Sequence, residues 1–131
     1  MKKFSMETAM TDVEAAITRF GARYTTRLFT QHEIDSCGGT NRQAAPGLTA
    51  RFAAKEAVLK VLRPTDTVPP WRSIEVRKQP GGWVEIELSD EAAQLARASG
   101  INELSVSLSH GAGVGTATVV ALREHAPGAT P

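Results

Sequence analysis

One stretch of this 131-residue chain constrains the fold more than any other: the uninterrupted helical run over residues 48–62. Set out at 100° per residue, Leu48, Phe52, Leu59 and Leu62 form one apolar sector, and Ala54, Val58 and Val61 form a second. A helix that is apolar on two sides must be covered on two sides, so the rest of the chain has to wrap around it. Glu56 and Lys60, four residues apart, share the gap between the sectors. Pro64, Pro69 and Pro70 end the run, because a proline supplies no amide for the helical ladder.

The flanking segments predict what does the wrapping. Met10, Val13, Ile17 and Phe20 recur at helical spacing, which predicts a helix over 7–20. Gly21 ends or bends it, and 22–29 continue it. Thr30-Gln31-His32-Glu33 has the form of a capping box opening a short helix, with Gly38-Gly39 as its stop. Residues 40–47 read as a loop. Beyond the prolines the period changes to two. Ile74 and Val76 alternate with charged residues, as do Val84, Ile86 and Leu88, and Pro80-Gly81-Gly82 between them marks a hairpin. Ser89 or Asp90 caps a helix through Ala98, closed by Gly100. Leu104-Ser105-Val106-Ser107-Leu108 and residues 116–122 supply two more strands. The order predicts an α+β fold in which an antiparallel sheet packs with a long central helix. The expected organisation is one domain over 1–124 and a flexible Pro/Gly/Ala-rich tail over 125–131.

Composition narrows the functional classes. Fifteen basic residues stand against fourteen acidic, a formal charge of +1, which argues against a general nucleic-acid binder. The longest uncharged apolar stretch, near 111–122, is too short and glycine-rich to cross a bilayer. No apolar segment of secretory type follows the basic start, and the single Cys37 excludes a disulfide framework, so a cytoplasmic setting is expected. Cys37 itself reads as a small apolar filler. Aromatics are only 5%, so the core must be aliphatic and shallow, which oligomerisation would help.

Three constellations carry chemistry. Glu56 and Lys60 are either a surface ion pair, worth about 0.3–0.5 kcal/mol, or a groove-held pair in which the carboxylate takes Mg²⁺ and the ammonium neutralises a phosphate. Val106-Ser107-Leu108-Ser109-His110-Gly111 puts a hydroxyl and an imidazole at a strand exit, suited to anion contact or proton transfer. The structural alternative is a histidine bonded to a strand carbonyl. Arg19, Arg23 and Arg27, at intervals of four, make a basic stripe if their helix is continuous. It is either a solvated face or a dock for an acidic helix. There is no Gly-x-Ser-x-Gly elbow, phosphate-loop signature or pair of metal-spaced histidines.

Taken together, these segments resemble the small holo-acyl-carrier-protein synthases of the 4′-phosphopantetheinyl transferase superfamily. The resemblance rests on 19–37 with Phe29-Thr30-x-x-Glu33, then Arg51-Phe52-Ala53-Ala54-Lys55-Glu56-Ala57-x-x-Lys60, Trp71-x-x-Ile74-Glu75-Val76 and Ser107-Leu108-Ser109-His110, in the family's order. It implies transfer of the phosphopantetheine arm of coenzyme A to a serine of an apo carrier protein, with adenosine 3′,5′-bisphosphate leaving. It also implies a homotrimer with coenzyme A and Mg²⁺, or Mn²⁺, at the cleft between neighbouring subunits. Glu56 would be a metal ligand and catalytic. Lys60 would contact the pyrophosphate or assist proton transfer. Arg51, Lys55, Ser109 and His110 would lie around the nucleotide, and Arg19, Arg23 and Arg27 would meet the acidic helix of an acyl carrier protein. Carriers of fatty-acid, polyketide and peptide synthesis all stay open.

The sequence departs from that pattern twice. The family opens with a strand reading Gly-x-Asp, whose aspartate is a second metal ligand; a gapless count puts Met6 there, with Glu7 and Asp12 as the nearest carboxylates. A thioether is a poor ligand for a hard cation. Arg63 stands where the family usually has glycine. Two readings follow: an active transferase with an altered metal site, or an inactive homologue that keeps coenzyme A or carrier binding as an interaction subunit.

Overall fold

A computed structural model describes residues 2–39 and 42–123. The chain opens with strand β1 (Lys2–Ala9), then α1 (Met10–Phe20), α2 (Ala22–Leu28), α3 (Gln31–Ser36) and the long α4 (Ala45–Leu62). Strands β2 (Ile74–Lys78) and β3 (Val84–Leu88), helix α5 (Asp90–Ala98), and strands β4 (Ile101–Gly111) and β5 (Val114–Arg123) complete it. The antiparallel component is two sheets: a three-stranded one in the order β1-β5-β4, and the hairpin β2-β3. The expected tail over 125–131 lies outside the described residues. Among the described residues no helix is long and apolar enough to cross a membrane.

The opening corrects one expectation. Residues 7–9, read as helix, belong to β1, which pairs antiparallel with β5 from Lys2↔Ala121 to Ala9↔Val114. Phe4, Met6 and Thr8 are half-buried and the residues between them exposed, a period of two that pairing with β5 imposes. The switch to helix is pinned at Met10, whose amide donates to the carbonyl of Gly113 in the β4–β5 turn (2.8 Å). From there Val13 and Ile17 are buried at the expected helical spacing. Gly21 does break the helix, at φ 58°, ψ −136°, a conformation that favours glycine. Helix α3 opens on the capping box: the Glu33 amide donates to Thr30 Oγ1 (3.3 Å) and the Thr30 amide to Glu33 Oε1 (2.8 Å).

Helix α4 starts three residues before the expected Leu48, with Pro46 in the first turn, where no amide is needed. Twelve of its eighteen residues are buried, more than the two apolar sectors require. One end packs Leu48 with Val13, Ile17, Phe29 and Ile34. The other packs Ala57, Val58, Val61 and Leu62 with Ile74, Ile101, Val119 and the alanines of α5. Strand β5 lies so close over the middle that a Cβ on Gly115 would stand 2.6 Å from the Ala50 amide nitrogen. Small residues along α4 and β5 therefore set the spacing, and an aliphatic core of few aromatics results.

Candidate active site

The specific block on α4 sends its side chains in different directions. Lys55, expected beside the nucleotide, turns inward and is fully buried. Its ammonium donates to the carbonyls of Trp71 (3.0 Å) and Ile74 (2.6 Å) and pairs with Glu33 Oε1 at 2.8 Å, so each of its three protons has an acceptor. Burial pulls this amine below the ordinary lysine range, with Glu33 pulling the other way. Glu33 is a junction: Oε1 serves the cap and Lys55, while Oε2 accepts from the Val76 amide (2.8 Å). This pair ties α3, α4 and β2 together from inside, and it removes Lys55 from the surface that a ligand can reach.

Glu56 faces the other way and forms a shared wall between two open clefts. In one, of about 340 Å³, it is joined by Thr8, Asp12, Tyr24 and Phe52. The Thr8 hydroxyl donates to Glu56 Oε1 (3.1 Å), fixing the carboxylate against β1. Tyr24 is pushed up by burial and further by the charges of Asp12 and Glu56, which places both carboxylates near one phenol. Met6 packs into the core instead. The β1 residue facing Glu56 is therefore Thr8, one strand period beyond Met6. The charged and polar side chains lining this cleft offer oxygen throughout: the carboxylates of Glu7, Asp12 and Glu56 and the hydroxyls of Thr8 and Tyr24, the chemistry a hard divalent cation takes.

In the other cleft, of about 530 Å³, Glu56 is joined by Lys60, Arg63, Trp71, Phe4 and Leu59. Among the described residues Glu56 makes no ion pair with Lys60, so the surface-pair reading is set aside. Lys60 is exposed, and among the described residues its ammonium makes no hydrogen bond or ion pair. Trp71 of this cleft meets Phe52 of the other at a tilt of 43°, with ring centroids 5.1 Å apart.

Arg51 and His110 meet elsewhere. They line a third, more polar cleft of about 650 Å³ with Ser107, Lys78 and Trp83. Arg51 is nine-tenths buried; its Nη1 donates to the Gly47 carbonyl (3.3 Å), but its Nε has no partner. A buried guanidinium with an unused donor fits an anion. Ser109 is exposed one residue before His110 and does not line this cleft. Ser107 comes from the same Ser107-Leu108-Ser109-His110 motif, whereas Lys78 and Trp83 lie outside the motifs. Trp83 breaks the pattern that Val84, Ile86 and Leu88 set, an aromatic at an outward position beside the hairpin turn, and that was a legible sign. Cys37 is half-buried at the same cleft, its thiol pushed up by burial, in keeping with a filler.

The arginine stripe is interrupted at Gly21 but survives as a face. Arg19 Cζ lies 5.2 Å from the centroid of the exposed Phe20 ring, and Phe20 lines a small hollow with Arg23, Tyr24, Arg27 and Leu28. Three exposed cations thus surround an apolar spot.

The model of the 4′-phosphopantetheinyl transferase superfamily matches residues 9–114. The chain belongs to that superfamily, and the small α+β transferases are the class its fold and clefts define. Its relatives include the holo-acyl-carrier-protein synthase of Moorella thermoacetica, 43% identical over 88 residues, covering 67% of this chain and 68% of that protein. The synthase of Dehalococcoides mccartyi is 39% identical over 112 residues, covering 83% and 87%. Among solved structures, the Helicobacter pylori holo-acyl-carrier-protein synthase in complex with coenzyme A superposes with a TM-score of 0.77 at 26% identity, covering 92% of this chain and all of that one.

Proposed function

We propose that this chain transfers the 4′-phosphopantetheine group of coenzyme A to a serine of an apo acyl carrier protein, releasing adenosine 3′,5′-bisphosphate. The observation that carries the reading is the position of Glu56: a carboxylate held by Thr8, with oxygen donors on one side and the ammonium of Lys60 on the other. Phosphoryl transfer is mostly a matter of holding charge and aligning groups, and this wall provides both. Glu56, with Glu7 or Asp12 and the Thr8 hydroxyl, would hold Mg²⁺ or Mn²⁺. Bound there, the cation would offset negative charge on the diphosphate.

The remaining steps belong to the chain's own side chains. Lys60 contacts the diphosphate and stabilises the leaving half as the phosphorus–oxygen bond to it breaks. The incoming serine hydroxyl must lose its proton, and the carboxylates of this wall are the bases on offer. Arg51 and His110 hold the nucleotide's phosphate-bearing end, which explains the unused Arg51 Nε. The clefts of Glu56 and of Arg51 share no lining residue within one chain. Their union across neighbouring copies, as in a homotrimer, satisfies the reading. Arg19, Arg23 and Arg27 receive the acidic helix of the carrier. Carriers of fatty-acid or polyketide synthesis are the substrates in view, in a cytoplasmic setting.

The test is Glu56→Gln, which keeps the shape and removes the charge. Metal-dependent transfer should fall roughly 10²-fold or more, the scale of losing a group that stabilises developing charge. Unchanged turnover would take Glu56 out of the mechanism.

A further inference from the structure

Arg63 terminates α4 in the left-handed conformation, φ 51° and ψ 59°, with its amide donating to the Leu59 carbonyl (3.0 Å). That position favours glycine, because a Cβ crowds the following carbonyl oxygen there. Nothing within the chain offsets the cost: among the described residues the guanidinium makes no hydrogen bond and no ion pair, and the residue is exposed. A cation near a helix C-terminus is favourable in its own right, but Lys60 already occupies the last turn. Left-handed non-glycine residues that persist cluster where the side chain is used.

What Arg63 contributes is a second unpaired cation on the cleft that Glu56, Lys60 and Trp71 line. That cleft is apolar along Phe4, Leu59 and Val68 and cationic at Lys60 and Arg63, a division matching a ligand with an uncharged arm and a diphosphate. A guanidinium is a planar fork that bonds two phosphate oxygens at once, which the Lys60 ammonium does only as a point charge. We propose that Arg63 is a substrate-contacting residue that grips the diphosphate of coenzyme A beside Lys60. The proposal rests on the transferase reading of this cleft.

The test is calorimetric titration of coenzyme A and of dephospho-coenzyme A into the wild-type chain, Arg63→Gly and Arg63→Gln, with thermal melts of all three. Arg63→Gly relieves the backbone and should melt higher, while binding coenzyme A about tenfold or more weakly, the scale of a lost charge-assisted bond. Stability and affinity thus move in opposite directions, which a purely structural arginine would not produce. Arg63→Gln keeps the strained backbone and should lose affinity without the gain in stability. The fold-loss should be the same for dephospho-coenzyme A, which retains the diphosphate and lacks the 3′-phosphate. A loss confined to coenzyme A would assign Arg63 to the 3′-phosphate and overturn the diphosphate contact. Variants that bind as tightly as wild type overturn the proposal while leaving the transferase reading standing. Absence of coenzyme A binding by the wild-type chain overturns both.

Discussion

At the scale of single residues, the block from Arg51 to Lys60 divides its labour in a way that helical spacing alone does not reveal. Lys55 and Glu56 are neighbours, yet one is sealed in the interior against Glu33 and the other lines two clefts. Truncating Lys55 to Met should strand the Glu33 carboxylate and destabilise the fold by about 3–5 kcal/mol, read by urea denaturation. An unchanged midpoint with a raised KM for coenzyme A would return Lys55 to the nucleotide. The capping box of Thr30 and Glu33 was legible because it is local. The second use of Glu33 was not, since its partners lie on α4 and β2 and nothing in the spacing connects them. Thr8 was hidden for a related reason: its role depends on which strand residue stands level with Glu56. Arg23→Glu, on the exposed basic face, should raise the KM for a carrier protein about tenfold and leave that for coenzyme A unchanged. An unchanged carrier KM would make this face a solvated one.

Among elements, the seam between α4 and β5 brings backbone against backbone. Gly115 brings β5 against the backbone of Thr49 and Ala50, and a methyl there would meet the Thr49 carbonyl carbon at 2.7 Å. Gly115→Ala should therefore cost about 1–3 kcal/mol through overpacking, measurable as a lowered melting temperature; a neutral result would mean that the seam can open. The pattern of residues 48–62 identified α4 as the element everything else covers, and the two hairpins and α5 followed from alternation and turn residues. Strand β1 escaped because Met10, Val13, Ile17 and Phe20 continue a helical period backwards into 7–9, and pairing with β5 overrides it. Local periodicity marks where a helix can form, whereas the Gly113 carbonyl that receives the Met10 amide decides where it starts.

For the whole molecule, the separation of the Glu56 and Arg51 clefts is the feature with the widest consequence. A complete site assembled from two copies predicts complementation. Glu56→Gln and Arg51→Ala chains, each inactive alone, should regain part of the activity when refolded together, because some interfaces then join two intact halves. No recovery would confine the site to one chain. Beneath this stands the central claim, that the chain moves a phosphopantetheine group. The most direct measurement is the intact mass of an apo carrier protein after incubation with coenzyme A, Mg²⁺ and this protein. The account predicts a mass gain of one phosphopantetheine per carrier, absent with carrier whose acceptor serine is replaced by alanine. Carriers that stay unmodified, while a known synthase modifies the same preparations alongside, would contradict it.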